Sequence, residues 1–133
     1  MTNAAAPRLF RVILPVFDIE AAFYARLLEM TGTRVSGGRH YFDCGGTILA
    51  CFDALADGDP ERVVPNPQHV YFSVDDLEAA HSRAEQAGCR ELTGIEVQPW
   101  RERSFYARDP FGNPICFVDS RTLFTGEKPF TPA

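Results

Sequence analysis

Residues 103–119 read RSFYARDPFGNPICFVD, and this stretch decides the fold. Aromatic and β-branched residues stand on both sides of a centre built from Asp, Pro, Gly and Asn, which is the pattern of two strands joined by a tight turn. Pro110 fixes φ early in the turn, and Gly112 can adopt the positive φ that reverses the chain. We therefore predict a hairpin with strands at residues 103–108 and 114–118.

The composition is that of one small domain or of two small modules that share a core. The chain has 133 residues, and 45% of them are apolar, which is enough to bury a substantial core. No apolar run is long enough to span a bilayer, and residues 1–7 lack the pattern of a secretion signal. We expect a soluble cytoplasmic protein with no membrane partner.

Charge and cysteine content argue against two further classes of protein. The net charge is −5 and the basic residues are scattered among acids, so that no stripe is available for a nucleic acid backbone. The four cysteines, Cys44, Cys51, Cys89 and Cys116, form no CxxC pair and no close cluster with histidine. We expect reduced thiols rather than disulfides or a zinc site.

The chain repeats itself at an offset of 58 residues, as from Val12 to Val70. Each half reads strand, helix and three strands. The first half predicts strands at 8–16, 34–36, 41–44 and 47–52, with a helix from an Asp18 cap to Gly32. The second half predicts strands at 69–74, 90–92, 103–108 and 114–118, with a helix from an Asp76 cap to Gly88.

These elements predict an α+β fold of two tandem β-α-β-β-β modules that form a curved mixed sheet with helices on the outside. The first module occupies residues 8–53 and the second occupies residues 69–119. A linker at 54–68, rich in proline and acids, separates them, and residues 120–133 form a C-terminal tail.

At this point the sequence resembles the vicinal-oxygen-chelate superfamily, which includes glyoxalase I, extradiol dioxygenases, fosfomycin-resistance enzymes and bleomycin-resistance proteins. The resemblance rests on VFDIE at 16–20, on VDDLEAA at 74–80 and above all on residues 103–113. It covers roughly residues 8 to 120. It implies the fold but not the reaction, because the superfamily places unrelated chemistries on one scaffold.

For metal-dependent members, the resemblance implies four ligand positions, which fall here on Arg11, Ala50, His69 and Cys116. Only His69 is a usual ligand, because Arg11 is a fixed cation, Ala50 has no donor and Cys116 suits only softer metals. We therefore expect no metal cofactor. If a metal does bind, we expect a divalent cation near His69.

We predict no catalytic residue and no metal ligand, but we do predict a ligand-binding set. Its members are Arg11, Tyr41, Phe52, His69, Tyr71, Trp100, Tyr106 and Cys116. Ordinary core packing remains the alternative for each aromatic residue, and a salt bridge to a nearby acid such as Glu102, or to a partner subunit, is the alternative for Arg11. Cys116 and His69 could also approach each other as a nucleophile and its base, or Cys116 could be a small buried filler.

Three functions remain open from the sequence. The first is a metal-free binding protein, similar to bleomycin-resistance proteins, that acts as a homodimer and sequesters a small aromatic or cationic molecule. The second is a metal-dependent lyase or dioxygenase that uses His69, with the metal acting as a Lewis acid. The third is an interaction module without a small-molecule site. We adopt the first as the working hypothesis.

Overall fold

The computed structural model describes residues 6–17 and 22–126. The elements are β1 (Arg11–Pro15), α1 (Phe23–Leu28), β2 (Thr33–Ser36), β3 (Arg39–Cys44), β4 (Thr47–Phe52), β5 (Val70–Val74), α2 (Leu77–Ala87), β6 (Glu96–Val97), β7 (Arg103–Arg108), β8 (Pro114–Asp119) and a 3-10 turn (Ser120–Thr122). The order β-α-β-β-β therefore occurs twice, which confirms the predicted fold class.

The strands form two four-stranded mixed sheets with matching strand orders. These orders are β1-β4-β3-β2 and β5-β8-β7-β6. In each sheet, the first and last strands of the module run parallel, and the other neighbours run antiparallel. The repeat in the sequence is therefore a repeat in topology.

The described residues divide into two compact units. The first unit contains residues 6–17 and 30–64, and the second contains residues 22–29 and 65–126. Helix α1 is encoded between two strands of the first sheet, yet it belongs to the second unit, where it packs against α2.

The hairpin predicted from residues 103–119 is present as β7 and β8. The Asp109 side chain, which is 0% exposed, closes the turn between them from inside. Its Oδ1 accepts hydrogen bonds from the backbone N–H groups of Phe111 and Asn113, at 2.9 and 2.8 Å. Its Oδ2 accepts from Asn113 Nδ2 at 2.8 Å and from the Tyr24 hydroxyl at 2.5 Å. One carboxylate thus holds both the turn and helix α1.

Stacked aromatic rings form the core of the second unit. The ring of Phe117 stacks on Phe105 and on Phe72, with centroids 5.2 and 5.0 Å apart. These residues share the face of the sheet that packs against α2, because side chains alternate along a strand. The side chains on the opposite face of the same sheet point away from α2.

Both predicted ends of α2 are confirmed, whereas the predicted C-terminal end of α1 is not. Asp76 accepts a hydrogen bond from the Ala79 N–H, and Gly88 has a φ of 89°. Helix α1 ends earlier than predicted, because Glu29 already takes the left-handed conformation, with a φ of 53°. Gly32 lies beyond the helix end. The predicted Asp18 cap lies outside the described residues.

The strand predicted at residues 90–92 is wrong. Arg90 makes only an isolated bridge to Arg108, and the edge strand is β6 at 96–97. Glu91 has a φ of 50°, which breaks the extended run. The Thr93 hydroxyl then accepts a hydrogen bond from the Tyr106 N–H in place of a strand partner. Neither helix of the described chain is long and apolar enough to cross a membrane.

Candidate functional site

The sheet of the second unit has a face that points away from α2, which we call the tyrosine face. It is defined by alternation along β5, β7 and β8, and its members are Tyr71, Ser73, Ser104, Tyr106, Cys116 and Val118. Cys116 is the Cα partner of both Tyr71 and Tyr106, so that one row of the sheet brings these three residues together. Three predicted ligand-binding residues therefore lie side by side.

His69 lies directly before β5 and contacts the same face. Its ring centroid is 5.1 Å from that of Tyr106 and 6.1 Å from that of Tyr71. Burial lowers the pKa of His69 below its ordinary value, and the charge of Arg108 lowers it further. The imidazole is therefore neutral at pH 7 and offers one hydrogen-bond donor and one acceptor.

Cys116 is a buried thiol in surroundings that disfavour the thiolate. It is 1% exposed, and burial raises its pKa to about 12. Burial also raises the pKa of Tyr106. Among the described residues, His69 makes ring contacts to tyrosines and no hydrogen bond to Cys116. The imidazole thus does not activate the thiol, and the structure favours the filler interpretation.

We expect Cys116 to resist alkylation in the folded protein, because only the exposed thiolate reacts. Iodoacetamide at pH 7.5 should leave Cys116 unmodified, whereas the same reagent in urea should modify it fully. Peptide mass spectrometry measures both. Cys89, which is partly exposed with a pKa raised by burial to about 11, is the internal comparison. Native labelling of Cys116 at the rate of a free thiol would contradict this account.

A cavity of about 400 Å³ opens beside the tyrosine face. Its walls include Tyr71, Trp100, Glu102, Val118, Leu123 and Phe124. Sequence reasoning predicted Tyr71 and Trp100 as ligand-binding residues but missed the others. The apolar residues Leu123 and Phe124 in the tail were the available signal, since burying apolar side chains against other apolar surface is favourable.

The Glu102 side chain forms hydrogen bonds to two residues of the cavity wall. Its Oε1 accepts a hydrogen bond from Trp100 Nε1 at 2.7 Å, and its Oε2 accepts one from the Phe124 N–H at 2.9 Å. The Arg103 N–H donates to the Thr122 hydroxyl at 3.0 Å and fixes the same tail segment. Both oxygens of Glu102, which the sequence offered as a partner for Arg11, are therefore engaged within the second unit.

The change Glu102→Gln should loosen the tail wall, because the amide keeps only one acceptor oxygen for two N–H donors. We expect the exchange of the Phe124 amide to rise about five-fold, the equivalent of one hydrogen bond of about 1 kcal/mol. Hydrogen–deuterium exchange read by NMR measures this. Glu96→Gln, on the exposed edge strand β6, makes the same charge change away from the cavity and is the control. Equal exchange in both variants would refute the role of Glu102.

The remaining predicted residues lie in the first unit. The guanidinium carbon of Arg11 is 5.4 Å from the ring centroid of Tyr41 and 4.9 Å from that of Phe10. Phe52 instead stacks with Arg39, whose guanidinium carbon is 4.3 Å from the ring centroid. Sequence reasoning missed Arg39. The structure thus places Arg11 next to Tyr41 and a different arginine, Arg39, next to Phe52.

The residues at the four positions implied for a metal do not fit a divalent cation. Arg11 is a cation, Ala50 is a methyl group and Cys116 keeps its proton, so that the imidazole of His69 is the remaining donor. The described part of the chain contains no group of three or more His, Cys, Asp or Glu side chains that could hold a metal. Stable sites usually need at least three protein ligands.

Comparison with known sequences gives a family match over most of the chain. Residues 8–117 match the family model described as "Glyoxalase/Bleomycin resistance protein/Dioxygenase superfamily". A similar curated protein is "Putative glyoxylase CFP32" of Mycobacterium bovis, which is 31% identical over 100 residues. The alignment covers 71% of this chain and 36% of that relative. This chain thus spans little more than a third of the length of the curated relatives it matches.

Solved structures show the same fold. A glyoxalase-related enzyme from Fulvimarina pelagi has a TM-score of 0.69 at 17% identity, covering 85% of this chain and 88% of that one. A glyoxalase/bleomycin resistance protein/dioxygenase from Nocardioides has a TM-score of 0.66 at 23% identity, covering 98% and 93%. At such identities the likeness establishes the fold alone.

Proposed function

Because this chain belongs to the glyoxalase/bleomycin resistance protein/dioxygenase superfamily, we propose that it is a binding protein that takes a small aromatic molecule without the metal usual in that superfamily. The observation that carries this proposal is the cavity of about 400 Å³ in the second unit. Ligand pockets are concave and mostly apolar, with a few polar anchors and volumes of roughly 300–1,000 Å³.

The lining favours an aromatic ligand over a cationic one. Tyr71, Trp100 and Phe124 offer ring surfaces, and Tyr71 is 57% exposed, which is high for a large aromatic side chain. Among the described residues that line the cavity, Glu102 is the one acid, and both of its oxygens already accept hydrogen bonds. Because these two hydrogen bonds occupy the carboxylate, it stabilises the wall and is less available to bind a cation.

Neutral polar groups beside Tyr71, which is one wall of the cavity, supply anchors. The His69 imidazole, with its lowered pKa, and the Tyr106 hydroxyl, with its raised pKa, both stay uncharged at pH 7. Each can give or accept a hydrogen bond without the cost of burying a charge. A neutral ring that carries a hydroxyl or carbonyl group is the ligand that this surface suits.

Trp100 allows a direct test, because it is the one tryptophan of the sequence and lies in the cavity wall. A panel of neutral one- and two-ring aromatic compounds, with coumarin as reference, should change its emission in a saturable way. Free N-acetyltryptophanamide corrects for absorption by the compounds, and calorimetry confirms the affinity. If no compound in the panel changes the emission at millimolar concentration, the proposal fails.

We also propose that the chain forms a homodimer. Leu9, which precedes β1, and Val35, on the edge strand β2, are apolar side chains left exposed, and such side chains are often covered by a partner. Sedimentation equilibrium at micromolar concentration should give twice the chain mass of 14.8 kDa. A single species at the chain mass would exclude the dimer.

A metal-dependent lyase or dioxygenase around His69 is the alternative, and the similarity to a mycobacterial protein named as a glyoxylase favours it. Metal analysis of protein purified without chelator separates the two functions. Stoichiometric Fe, Mn, Ni or Zn that disappears in His69→Ala would replace the binding-protein proposal with this one.

A further inference from the structure

One wall of the cavity in the second unit is a short segment, residues 122–124, which we call the strap. Its residues Leu123 and Phe124 line the cavity. Both side chains are large and apolar, yet they remain 46% and 41% exposed. The strap begins at the last residue of the 3-10 turn, and the described residues 123–125 lie in no helix or strand. This wall is therefore lightly packed.

Another wall is formed by the loop at residues 98–102, two of which line the cavity. The backbone of this loop closes on itself. The Gln98 N–H donates to the Glu102 carbonyl, and the Arg101 N–H donates to the Gln98 carbonyl, both at 2.7 Å. Neither bond involves the strap, so that the loop keeps its shape whether or not the strap is in place.

Hydrogen bonds fasten the strap to this loop and to the start of β7. The Phe124 N–H donates to Glu102 Oε2 at 2.9 Å, and the Arg103 N–H donates to the Thr122 hydroxyl at 3.0 Å. The Thr122 hydroxyl in turn donates to the Asp119 carbonyl at 2.8 Å. Segments held by solvent-exposed hydrogen bonds and few buried apolar contacts open at a lower free energy than the core.

The base of the strap is fixed, in contrast. Asp119, the last residue of β8, is 1% exposed. Its carboxylate accepts hydrogen bonds from the Arg121 N–H at 3.0 Å and from Arg121 Nη2 at 2.8 Å. Arg103 Nη1 approaches the same carboxylate at 3.4 Å. The strap therefore has a firm base about which it can pivot.

We propose that the strap is a movable cover, which closes over a ligand in the cavity and opens as a unit to release it. In the closed state a bound aromatic ring covers the partly exposed side chains of Leu123 and Phe124. The ligand favours this state, because it gains these contacts only there. The inference rests on the function proposed above and adds the control of ligand release from the same cavity.

Hydrogen exchange of backbone amides, read by NMR without any ligand, tests whether the strap opens as a unit. The Phe124 and Arg103 amides should show the same protection, because one motion breaks both of their hydrogen bonds. Both should be at least about ten-fold less protected than the Gln98 amide, which is held within the loop.

Thr122→Val removes the acceptor of the Arg103 N–H but not that of the Phe124 N–H. We nevertheless expect exchange at Phe124 to rise about five-fold, the range for one lost hydrogen bond, because the strap moves as a whole. Thr93→Val is the matched control. It also removes a hydroxyl that accepts from an amide of β7, that of Tyr106, and should leave exchange at Phe124 unchanged.

The same variants test the control of release. Dissociation of coumarin, followed by Trp100 emission after rapid dilution, should be about five-fold faster in Thr122→Val and unchanged in Thr93→Val. Thr122 lies outside the described lining of the cavity, so that faster release reports on the strap rather than on a lost ligand contact.

Three results would overturn the proposal. These are exchange at Phe124 that is no faster than at Gln98, unchanged exchange at Phe124 in Thr122→Val, or release of coumarin from that variant at the wild-type rate. If Thr122→Val does not fold by circular dichroism, the comparison of Phe124 with Gln98 in the wild type still decides. Absence of coumarin binding counts against the function proposed above, whereas exchange without ligand judges the strap alone.

Discussion

Replacing Asp109 with Ala is expected to lower the free energy of unfolding by about 3–5 kcal/mol, because several buried donors lose their acceptor at a cost of roughly 1–3 kcal/mol each. Four donors converge on this carboxylate: the N–H groups of Phe111 and Asn113, the Asn113 side chain and the Tyr24 hydroxyl. The site is fully buried, so that water cannot replace the lost acceptor without opening the turn. This is the largest stability effect that we expect from one substitution.

Urea unfolding followed by circular dichroism measures the loss. Tyr24→Phe is the matched control, because it removes one donor and leaves Oδ2 with the Asn113 side chain. We expect that variant to lose only about 1 kcal/mol. If Asp109→Ala costs no more than Tyr24→Phe, the carboxylate is not the centre of this network.

Trp100→Ala is expected to weaken the binding of coumarin about 30- to 100-fold, as for a buried aromatic anchor worth about 2–3 kcal/mol. The indole forms part of the cavity wall, and its N–H holds one oxygen of Glu102. The substitution therefore removes ring surface and one support of the cavity together. Calorimetry is the measurement, because the variant has no tryptophan emission.

Two further variants separate these contributions. Trp100→Phe keeps a ring but loses the N–H, and we expect a loss of only about five-fold, the equivalent of one hydrogen bond. Val97→Ala truncates an exposed apolar residue outside the cavity wall and should bind coumarin as the wild type does. Wild-type affinity in Trp100→Ala would show that the ligand does not use this cavity.

Local patterns were sufficient to predict most of the fold. The β7–β8 hairpin follows from alternating apolar residues around a Pro-Phe-Gly-Asn turn, and Gly112 has the positive φ of 93° that this turn requires. The ends of α2 follow from Asp76 and Gly88. In each case the residues that determine the structure are neighbours in sequence, so that one short window contains the whole cause.

Features set by distant contacts could not be predicted. The bend at Glu91 and the hydrogen bond from Tyr106 to Thr93 depend on how residues 90–95 lie against β7. The cavity wall depends on a hydrogen bond between Glu102 and the Phe124 N–H, which are 22 residues apart. Periodicity carries no information on such pairs, and so Glu102, Leu123 and Phe124 were missed.

The membership of α1 in the second unit has a consequence for how the chain folds. The Tyr24 hydroxyl and Asp109 are 85 residues apart in sequence, and residues 30–64 of the first unit lie between α1 and the rest of its own unit. During synthesis, α1 can therefore dock on the β7–β8 turn only after residues 103–119 have been made. Contacts between residues far apart in sequence slow folding. We therefore expect the first unit to fold before the second.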